Sequence, residues 1–558
     1  MARTGGRLLV DCLAAQGVRR VFGVPGESYL AVLDALYDCQ PSISFVNARN
    51  EGGASFMAEA HGKLTGQPGI AFVTRGPGAT NAAIGVHAAR QASTPMILFV
   101  GQIPLDVRGR EAFQEVDYRA VFGSLAKWAV EIEQVDRIPE IVARAFATAL
   151  SGRPGPVVVA LPEDVLAATS HAEPARKVQV PEPAPSSAGA RAIADRLAGA
   201  SRPLILAGGG GWTTDGRMAL DQVARAAGIP VATAFRFNDL IDNGAPHYIG
   251  EAGIAMAPHV ARMIREADVI LAAGIRFGEM TTGDCSLFDA PNTRQYLIHA
   301  HASDAEIGKI YQADMPVQSG PNALFAALAD LPCGGARQTG WTQEGRAAYE
   351  AALACPEQPG SVDMGRVMEH LRSVLPPDVI LTNGAGNFAT WPGRYFPLPA
   401  GARLLAPQSG AMGYGLPAAI AAKLEAPGRT VVCFAGDGDI QMNCQELATA
   451  RQAGAAPIVL VLNNGSYGTI RMHQERTFPG RVSATDLANP DFVQLAEAFG
   501  FHGERVSHTS DFASAFERAA SAPGGALIEL VIDVEALTPR QTLSQMRQAA
   551  LARVDAAG

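Results

Sequence analysis

TVVCFAGDGD (430–439) and PIVLVLNNGSYG (457–468) are the two stretches from which the fold of this chain can be read. Each begins as an unbroken apolar, β-branched run of strand length and ends in residues that turns favour, Gly-Asp-Gly-Asp in one and Asn-Asn-Gly in the other. Between them, residues 443–453 (NCQELATARQA) carry apolar positions at helical spacing. Strand, tight turn, helix and strand in that order form a crossover unit of a parallel sheet. The unit puts Asp437 and Asn464 at the carboxyl ends of two strands.

The same grammar extends outward. ISFV (43–46), GIAFVT (69–74), PMILFV (95–100) and GPVVVA (155–160) are further short apolar runs, separated by alanine-rich stretches with helical spacing such as 53–64 and 81–91. Residues 169–187 break the pattern with Pro174, Pro181, Pro183 and Pro185 among small and charged residues, and they read as a linker. A second block follows, and residues 333–360, with a short helical piece, lead into a third. The expected fold class is α/β: three consecutive doubly wound parallel-sheet domains at 1–170, 188–331 and 361–540, with no residue-level repeat among them.

Composition narrows the function. The 558 residues are 48% hydrophobic and 18% charged, a globular composition that excludes a disordered or fibrous chain. Forty-five basic residues against 54 acidic ones, a net charge of -9 with no basic block, argue against a nucleic-acid partner. No run approaches the roughly eighteen apolar residues of a membrane helix, so no membrane partner is expected. Seven cysteines lie at scattered positions without Cys-x-x-Cys spacing and read as reduced thiols of a cytoplasmic protein.

The chemistry concentrates at the two strand ends. A carboxylate at Asp437, an amide oxygen at Asn464 and a turn carbonyl suit Mg²⁺, which takes hard oxygen ligands and keeps diphosphate oxygens and water as the others. The glycines would let a diphosphate approach backbone N–H groups. Either half alone reads as an ordinary strand-to-helix turn or β-turn; their joint occurrence on one strand–helix–strand frame favours a site.

With these residues in view, the chain resembles the thiamine diphosphate enzymes, whose signature is GDG followed some two dozen residues later by Asn-Asn. It looks most like the acetohydroxyacid (acetolactate) synthase branch, through residues 50–81 (NEGGASFMAEAHGKLTGQPGIAFVTRGPGATN), 111–117 (EAFQEVD), 410–424 (GAMGYGLPAAIAAKL) and 436–454 (GDGDIQMNCQELATARQAG). The resemblance implies a pyrimidine-binding first domain, a central domain and a diphosphate-binding third domain. It implies Mg²⁺ on Asp437, Asn464 and the Ser466 carbonyl, with the diphosphate on Gly438, Asp439 and the Gly386-Asn387-Phe388 turn. Met412 would prop the bent cofactor, and Pro25, Gly26, Asn81, Gly410, Gly436, Tyr467, Gly468 and Thr469 complete the cofactor-binding set. Glu51, otherwise a carboxylate favoured at a helix N-terminus, would hydrogen-bond the aminopyrimidine N1′ and so promote loss of the thiazolium C2 proton. Phe113, Gln114 and Lys127 match substrate-facing residues.

The implied reaction is decarboxylation of a 2-oxoacid such as pyruvate, followed by carboligation to a second oxoacid or an aldehyde. The implied assembly is a homodimer or homotetramer with active sites at subunit interfaces. Departures bear on the acceptor and on a second cofactor. His473 stands where the family has Trp and Met280 where it has Arg, so the acceptor pocket must differ. The glycine run of PLILAGGGGW (203–212) lacks a clear dinucleotide spacing. Glu251-Ala252 replaces a Met-His pair, and His301 and Ser303 replace acidic residues, although Arg276 is retained; FAD is not expected. Competing readings are a thiamine diphosphate-dependent lyase of 2-hydroxyacyl-CoA or hydroxyketone type, and a nucleotide-binding regulatory protein without catalysis. The intact Glu51, Asp437 and Asn464 argue against the latter, and Glu51 argues against a glyoxylate carboligase.

Overall fold

Three six-stranded sheets, every neighbouring pair parallel, organise the chain in the computed structural model, which describes residues 2–254, 256–335 and 339–557 and side chains as far as residue 553. The strands of the first sheet are Arg20–Gly23, Ser44–Asn47, Gly69–Val73, Met96–Gln102, Trp128–Glu131 and Pro156–Pro162. Those of the second are Pro203–Ala207, Val231–Ala234, Tyr248–Ala252, Val269–Ala273, Tyr296–His301 and Met315–Gln318. Those of the third are Ile380–Asn383, Arg403–Leu405, Val431–Gly436, Ile458–Asn463, His502–Val506 and Ala526–Val531.

With the strands of each sheet numbered in chain order, the first and third sheets share the order 2-1-3-4-6-5, while the second runs 3-2-1-4-5-6. In the shared order the chain reverses its direction of travel between strands 1 and 3. The carboxyl ends of those two strands therefore border a crevice, the place where an open α/β sheet takes its ligand.

Both faces of each sheet are covered, which is why the strands read as continuous apolar runs. In the central sheet Leu204 and Leu206 join one core, while Ile205 and Ala207, on the alternate side of the same strand, join the other. In the first sheet Phe72 and Phe99 stack with ring centroids 4.9 Å apart. Val432, Phe434, Leu460 and Ile528 centre the core of the third.

Two compact units divide the chain: Met1–Glu182 with Ile420–Glu425 and Ala448–Gly454, and Pro183–Ala419 with Ala426–Leu447 and Ala455–Gly558. The second and third sheets thus belong to one unit. Among the described residues no helix is long and apolar enough to cross a membrane.

Some local expectations shift. Gly-Asp-Gly-Asp is not a bare turn, because Asp437–Ile440 forms a single helical turn. The helix expected over 443–453 begins only at Glu446, as Glu446–Ala453. Residues 169–187 are largely without regular structure, but Thr169–Ser170 pairs antiparallel with Arg3–Thr4. The short helical piece in 333–360 is a helix of fourteen residues, Thr339–Ala352, while residues 336–338 lie outside the described residues.

Candidate functional site

In the third domain the crevice is formed by the loops after Ile380–Asn383 and Val431–Gly436, joined by the loop after Ile458–Asn463. Asp437 opens the one-turn helix and is only 3% exposed. Its Oδ2 accepts a hydrogen bond from the Ser466 amide at 3.2 Å, and Asn464 Oδ1 accepts from the same N–H at 3.1 Å. Asp437, Asn464 and Ser466, expected from the sequence to share a metal, are thus brought to one point. Burial raises the Asp437 carboxyl above its ordinary range, opposed by hydrogen bonds that include one from Asn489. Among the described residues no salt bridge neutralises it.

Around this point Phe388 and Tyr467 close over the glycines. A Cβ at Gly436 would lie 2.8 Å from the Phe388 ring, and one at Gly438 would lie 2.6 Å from the Tyr467 ring, so neither position accepts a larger residue in this backbone. The Asn387 amide donates to Thr469 Oγ1 at 2.9 Å, and that hydroxyl lies 3.1 Å from Asn387 Oδ1. At Gly468 a Cβ would meet Asn464 Nδ2 at 2.9 Å. Gly410 has a left-handed φ of 68° and faces open space, and Met412, half-buried, sits two residues beyond it.

Asp439 is placed differently from its neighbours. Its Oδ1 accepts from the amides of Ala385 at 3.0 Å and Gly413 at 2.9 Å, tying together the loops that carry Gly386 and Met412. Burial pushes its carboxyl up to about 7. Asn489 is a participant that sequence reasoning missed: its Nδ2 donates to Asp437 Oδ2 at 2.7 Å and to Asn463 Oδ1 at 2.8 Å. The two neighbouring asparagines therefore do different work, since Asn463 braces the loop, also donating to Glu529 at 2.7 Å, while Asn464 turns its oxygen towards Asp437's neighbourhood.

The first domain repeats the geometry with other residues. Pro25 and Gly26 follow strand Arg20–Gly23, and a Cβ at Gly26 would come within 2.6 Å of Thr74 at the end of strand 3. Glu51 begins the helix Glu51–Thr65, capped by Asn50 Oδ1 accepting from the Gly52 amide at 2.7 Å. The small residues of this helix let Pro77–Ala92 pack close, for a Cβ at Gly85 would overlap Ser55 Oγ at 2.2 Å. That packing brings Asn81 Nδ2 to 2.9 Å from Glu51 Oε2.

The loop 109–117 folds over Gly76. Glu115 holds it by accepting from the amides of Gly109 at 2.7 Å and Ala112 at 3.2 Å, and Asp117 caps the helix Tyr118–Phe122. Gln114 takes a left-handed φ of 65°, rests on Gly76, and buries Oε1 without a hydrogen-bond partner among the described residues. Phe113 beside it is 75% exposed.

Lys127 stands apart from these two residues. It precedes strand Trp128–Glu131, at the amino-terminal edge of a sheet whose carboxyl-terminal edge carries Gly76 and Gln114. Its ammonium donates to the carbonyls of Thr148 at 2.5 Å and Ser151 at 2.7 Å, at the C-terminal end of the helix Ile138–Leu150. Lysine there compensates orphan carbonyls and the negative end of the helix dipole, so it is not brought to the mouth formed by Phe113 and Gln114. Of the two acceptor-pocket candidates, His473 is exposed on the helix Gly468–Thr477 and Met280 is half-buried in the turns after Val269–Ala273.

These donors fit a diphosphate bound through Mg²⁺. A buried carboxylate with no salt bridge among the described residues and an amide oxygen sharing one N–H with it are two hard oxygen ligands of the kind Mg²⁺ takes together with a carbonyl, phosphate and water. Among the described residues no cluster of three His, Cys, Asp or Glu side chains competes as a metal site.

Comparison with known proteins agrees along the chain. Residues 3–121 match the thiamine pyrophosphate enzyme N-terminal TPP binding domain, residues 190–328 the central domain and residues 384–530 the C-terminal TPP binding domain. The chain is 31% identical over 532 residues to the acetolactate synthase isozyme 2 large subunit of Escherichia coli (strain K12), covering 95% of both chains. It is 32% identical to the mitochondrial acetolactate synthase catalytic subunit of Saccharomyces cerevisiae, covering 95% of this chain and 81% of that one. It is also 32% identical to the probable acetolactate synthase large subunit of Methanocaldococcus jannaschii, covering 95% and 92%. With three matched domains on three parallel sheets, and with relatives of this kind along nearly its whole length, the chain belongs to the thiamine pyrophosphate enzymes, on their acetolactate synthase-like branch.

Proposed function

We propose that this protein is a Mg²⁺-dependent, thiamine diphosphate-dependent carboligase that decarboxylates pyruvate or a similar 2-oxoacid and joins the remaining two-electron-richer fragment to a second oxoacid or an aldehyde. The observation that carries the reading is the convergence of Asp437 Oδ2 and Asn464 Oδ1 on the Ser466 amide, at a buried carboxylate with no salt bridge among the described residues. The names of the relatives support the acetolactate synthase-like direction, and neither a lyase of 2-hydroxyacyl-CoA or hydroxyketones nor a non-catalytic nucleotide binder is favoured beside them.

In this reading Asp437, Asn464 and the Ser466 carbonyl hold Mg²⁺. Gly436, Gly438, Gly386, Asn387, Phe388, Tyr467, Gly468 and Thr469 surround the diphosphate, and Asp439 fixes the loops that carry part of that set. Gly410 and Met412 shape the wall beside the rings, with Pro25, Gly26 and Asn81 at the pyrimidine end. The bound cofactor supplies a nucleophilic carbon and an electron sink for the departing CO₂. Glu51 holds a proton at one carboxyl oxygen while Asn81 Nδ2, on Oε2, fixes its orientation. Gln114 offers the unpartnered Oε1 to a substrate hydroxyl or its proton, and Phe113 covers the mouth against water. Met280 and His473 border the acceptor. The enzyme works as a homodimer or homotetramer in the cytoplasm, consistent with seven free cysteines, and its domains span 1–170, 188–331 and 361–540.

A matrix of 2-oxoacid donors against oxoacid and aldehyde acceptors, with product identification, tests the reading, beginning with pyruvate alone. CO₂ release coupled to a hydroxyketone or 2-hydroxy-2-alkyl-oxoacid product is expected, and Glu51→Gln is expected to abolish it while cofactor binding persists. Release of a purine nucleotide and no thiamine diphosphate on denaturation, with no oxoacid consumed, would refute it.

A further inference from the structure

We propose that Arg236 of the central domain is a positioning residue for the cofactor, with its guanidinium setting the spacing of the two loops that carry Gly386 to Phe388 and Gly410 to Met412. The inference rests on the cofactor assignment above. Arg236 follows strand Val231–Ala234 at the carboxyl-terminal edge of the central sheet and takes a left-handed φ of 61°, an uncommon backbone for a long side chain. That conformation aims its amide at Glu251 Oε1, 2.5 Å away at the end of the neighbouring strand Tyr248–Ala252. The side chain then reaches the third domain, where Nη1 donates to the Pro407 carbonyl and Nη2 to the Gly384 carbonyl at 3.4 Å. Gln408 returns a hydrogen bond from Nε2 to the Arg236 carbonyl at 3.1 Å.

Gly384 and Pro407 begin the loops after the first and second strands of the third sheet. Further along, the same two loops are tied to each other by Asp439 through Ala385 and Gly413. Each loop is therefore held at two points: Asp439 from within its own domain, and Arg236 from the central one. A second bridge runs parallel, because Asn238 Nδ2 donates to the Gly393 carbonyl at 2.8 Å and lies 3.4 Å from Glu251 Oε2. Gly393 belongs to the helix Thr390–Tyr395, which follows Asn387 and Phe388 directly.

Burying a guanidinium costs desolvation, and burial lowers the Arg236 group to about 10. An apolar side chain would fill the same space without that cost, but it could not span carbonyls on two separate loops. The planar fork does so with fixed separation, which an ammonium, as a point charge, cannot reproduce. Geometry on the cofactor loops, rather than packing alone, is what the charged group supplies.

The test uses the full-length protein with Mg²⁺ and thiamine diphosphate, comparing wild type with Arg236→Lys and Arg236→Met. Cofactor affinity is read by quenching of intrinsic fluorescence, and amide hydrogen exchange is read in the protein freed of cofactor. Affinity is expected to fall about tenfold in the lysine variant and further in the methionine variant. Turnover at saturating cofactor should stay within about twofold of wild type in Arg236→Lys, and exchange should accelerate in 384–388 and 407–413 while the central sheet keeps its protection. Unchanged affinity in both variants, or acceleration spread evenly over the central sheet, would overturn the proposal. A wild-type protein that binds no thiamine diphosphate would instead refute the cofactor assignment, and the exchange pattern would still report whether Arg236 holds the loops.

Discussion

Lys127→Met separates a structural lysine from a substrate-facing one. Methionine keeps most of the aliphatic stem, which packs where a Cβ at Gly155 would lie 2.9 Å from Lys127 Cδ, and removes only the ammonium. Two hydrogen bonds are lost, to Thr148 at 2.5 Å and Ser151 at 2.7 Å, together with a favourable charge at the end of a thirteen-residue helix. Bonds from a charged donor contribute about 1.5–3 kcal/mol each, but relief of the buried charge offsets them, leaving a net change within about 1 kcal/mol at neutral pH. Burial, with help from Arg90 and Arg153, lowers the ammonium to about 8. The sign follows: between about 8 and the usual value near 10.4 the unfolded chain holds a proton that the folded chain has released, so wild-type stability rises with pH across that window. The methionine variant lacks this rise, and the gap between the two widens from pH 8 to 10. Urea unfolding at several pH values measures it, and steady-state kinetics on the same samples should show an unchanged pyruvate KM and product ratio. A variant as stable as wild type at every pH but with altered KM or acceptor choice would refute the structural role and return Lys127 to the substrate.

Asp437→Ala should lose cofactor on dialysis against chelator and fail to regain it with added Mg²⁺, because the only carboxylate in the proposed shell is gone; cofactor retention equal to wild type would contradict the metal assignment. Asn489→Ala deletes the donors at 2.7 and 2.8 Å to Asp437 and Asn463. It should raise the Mg²⁺ concentration needed for half-activation about tenfold, read by titration of chelator-treated protein, and an unaltered titration would show that Asn489 does not shape the site. Mixing Glu51→Gln with Asp437→Ala under subunit exchange should restore part of the activity, since each chain then brings one competent half to a shared site; no gain despite exchange verified by mass spectrometry would place both halves in one chain.

What the sequence made legible was whatever depends on contiguous residues. Apolar runs ending in Gly-Asp-Gly and Asn-Asn announce strands and the turns at their carboxyl ends, and because ligands gather at that edge of a parallel sheet, Asp437 and Asn464 pair from the sequence alone. Glu51 and Asn81 were legible only through the family resemblance of residues 50–81, since by residue type alone Glu51 is a carboxylate favoured at a helix N-terminus. Residues that act through tertiary contacts gave no such sign. Asn489 lies in a stretch without periodicity and matters only because its loop folds back on Asp437. Arg236 falls in no motif, and Glu251 stands out only as part of Glu251-Ala252, until the loops at 384 and 407 arrive beside Arg236. Lys127 is near Gln114 in the chain, yet it precedes the strand Trp128–Glu131, and a strand's amino end and its neighbour's carboxyl end face opposite edges of the same sheet.

The first and third domains sharpen this point. Their strands follow one order, 2-1-3-4-6-5, although no residue-level repeat links them. Strand order is set by burial pattern and right-handed crossovers, which many sequences satisfy, so shared topology leaves the residues at the switch point free to differ. In one domain that point holds Pro25 and Gly26 with Glu51 on the adjoining helix; in the other it holds Gly386 and Asn387 beside Asp437. The first set presents a carboxyl group oriented by an amide, suited to holding a proton, and the second presents converging oxygens, suited to holding a cation. One backbone solution is thus built twice and dressed differently, and under the proposed function the first set is assigned to the aminopyrimidine and the second to the diphosphate.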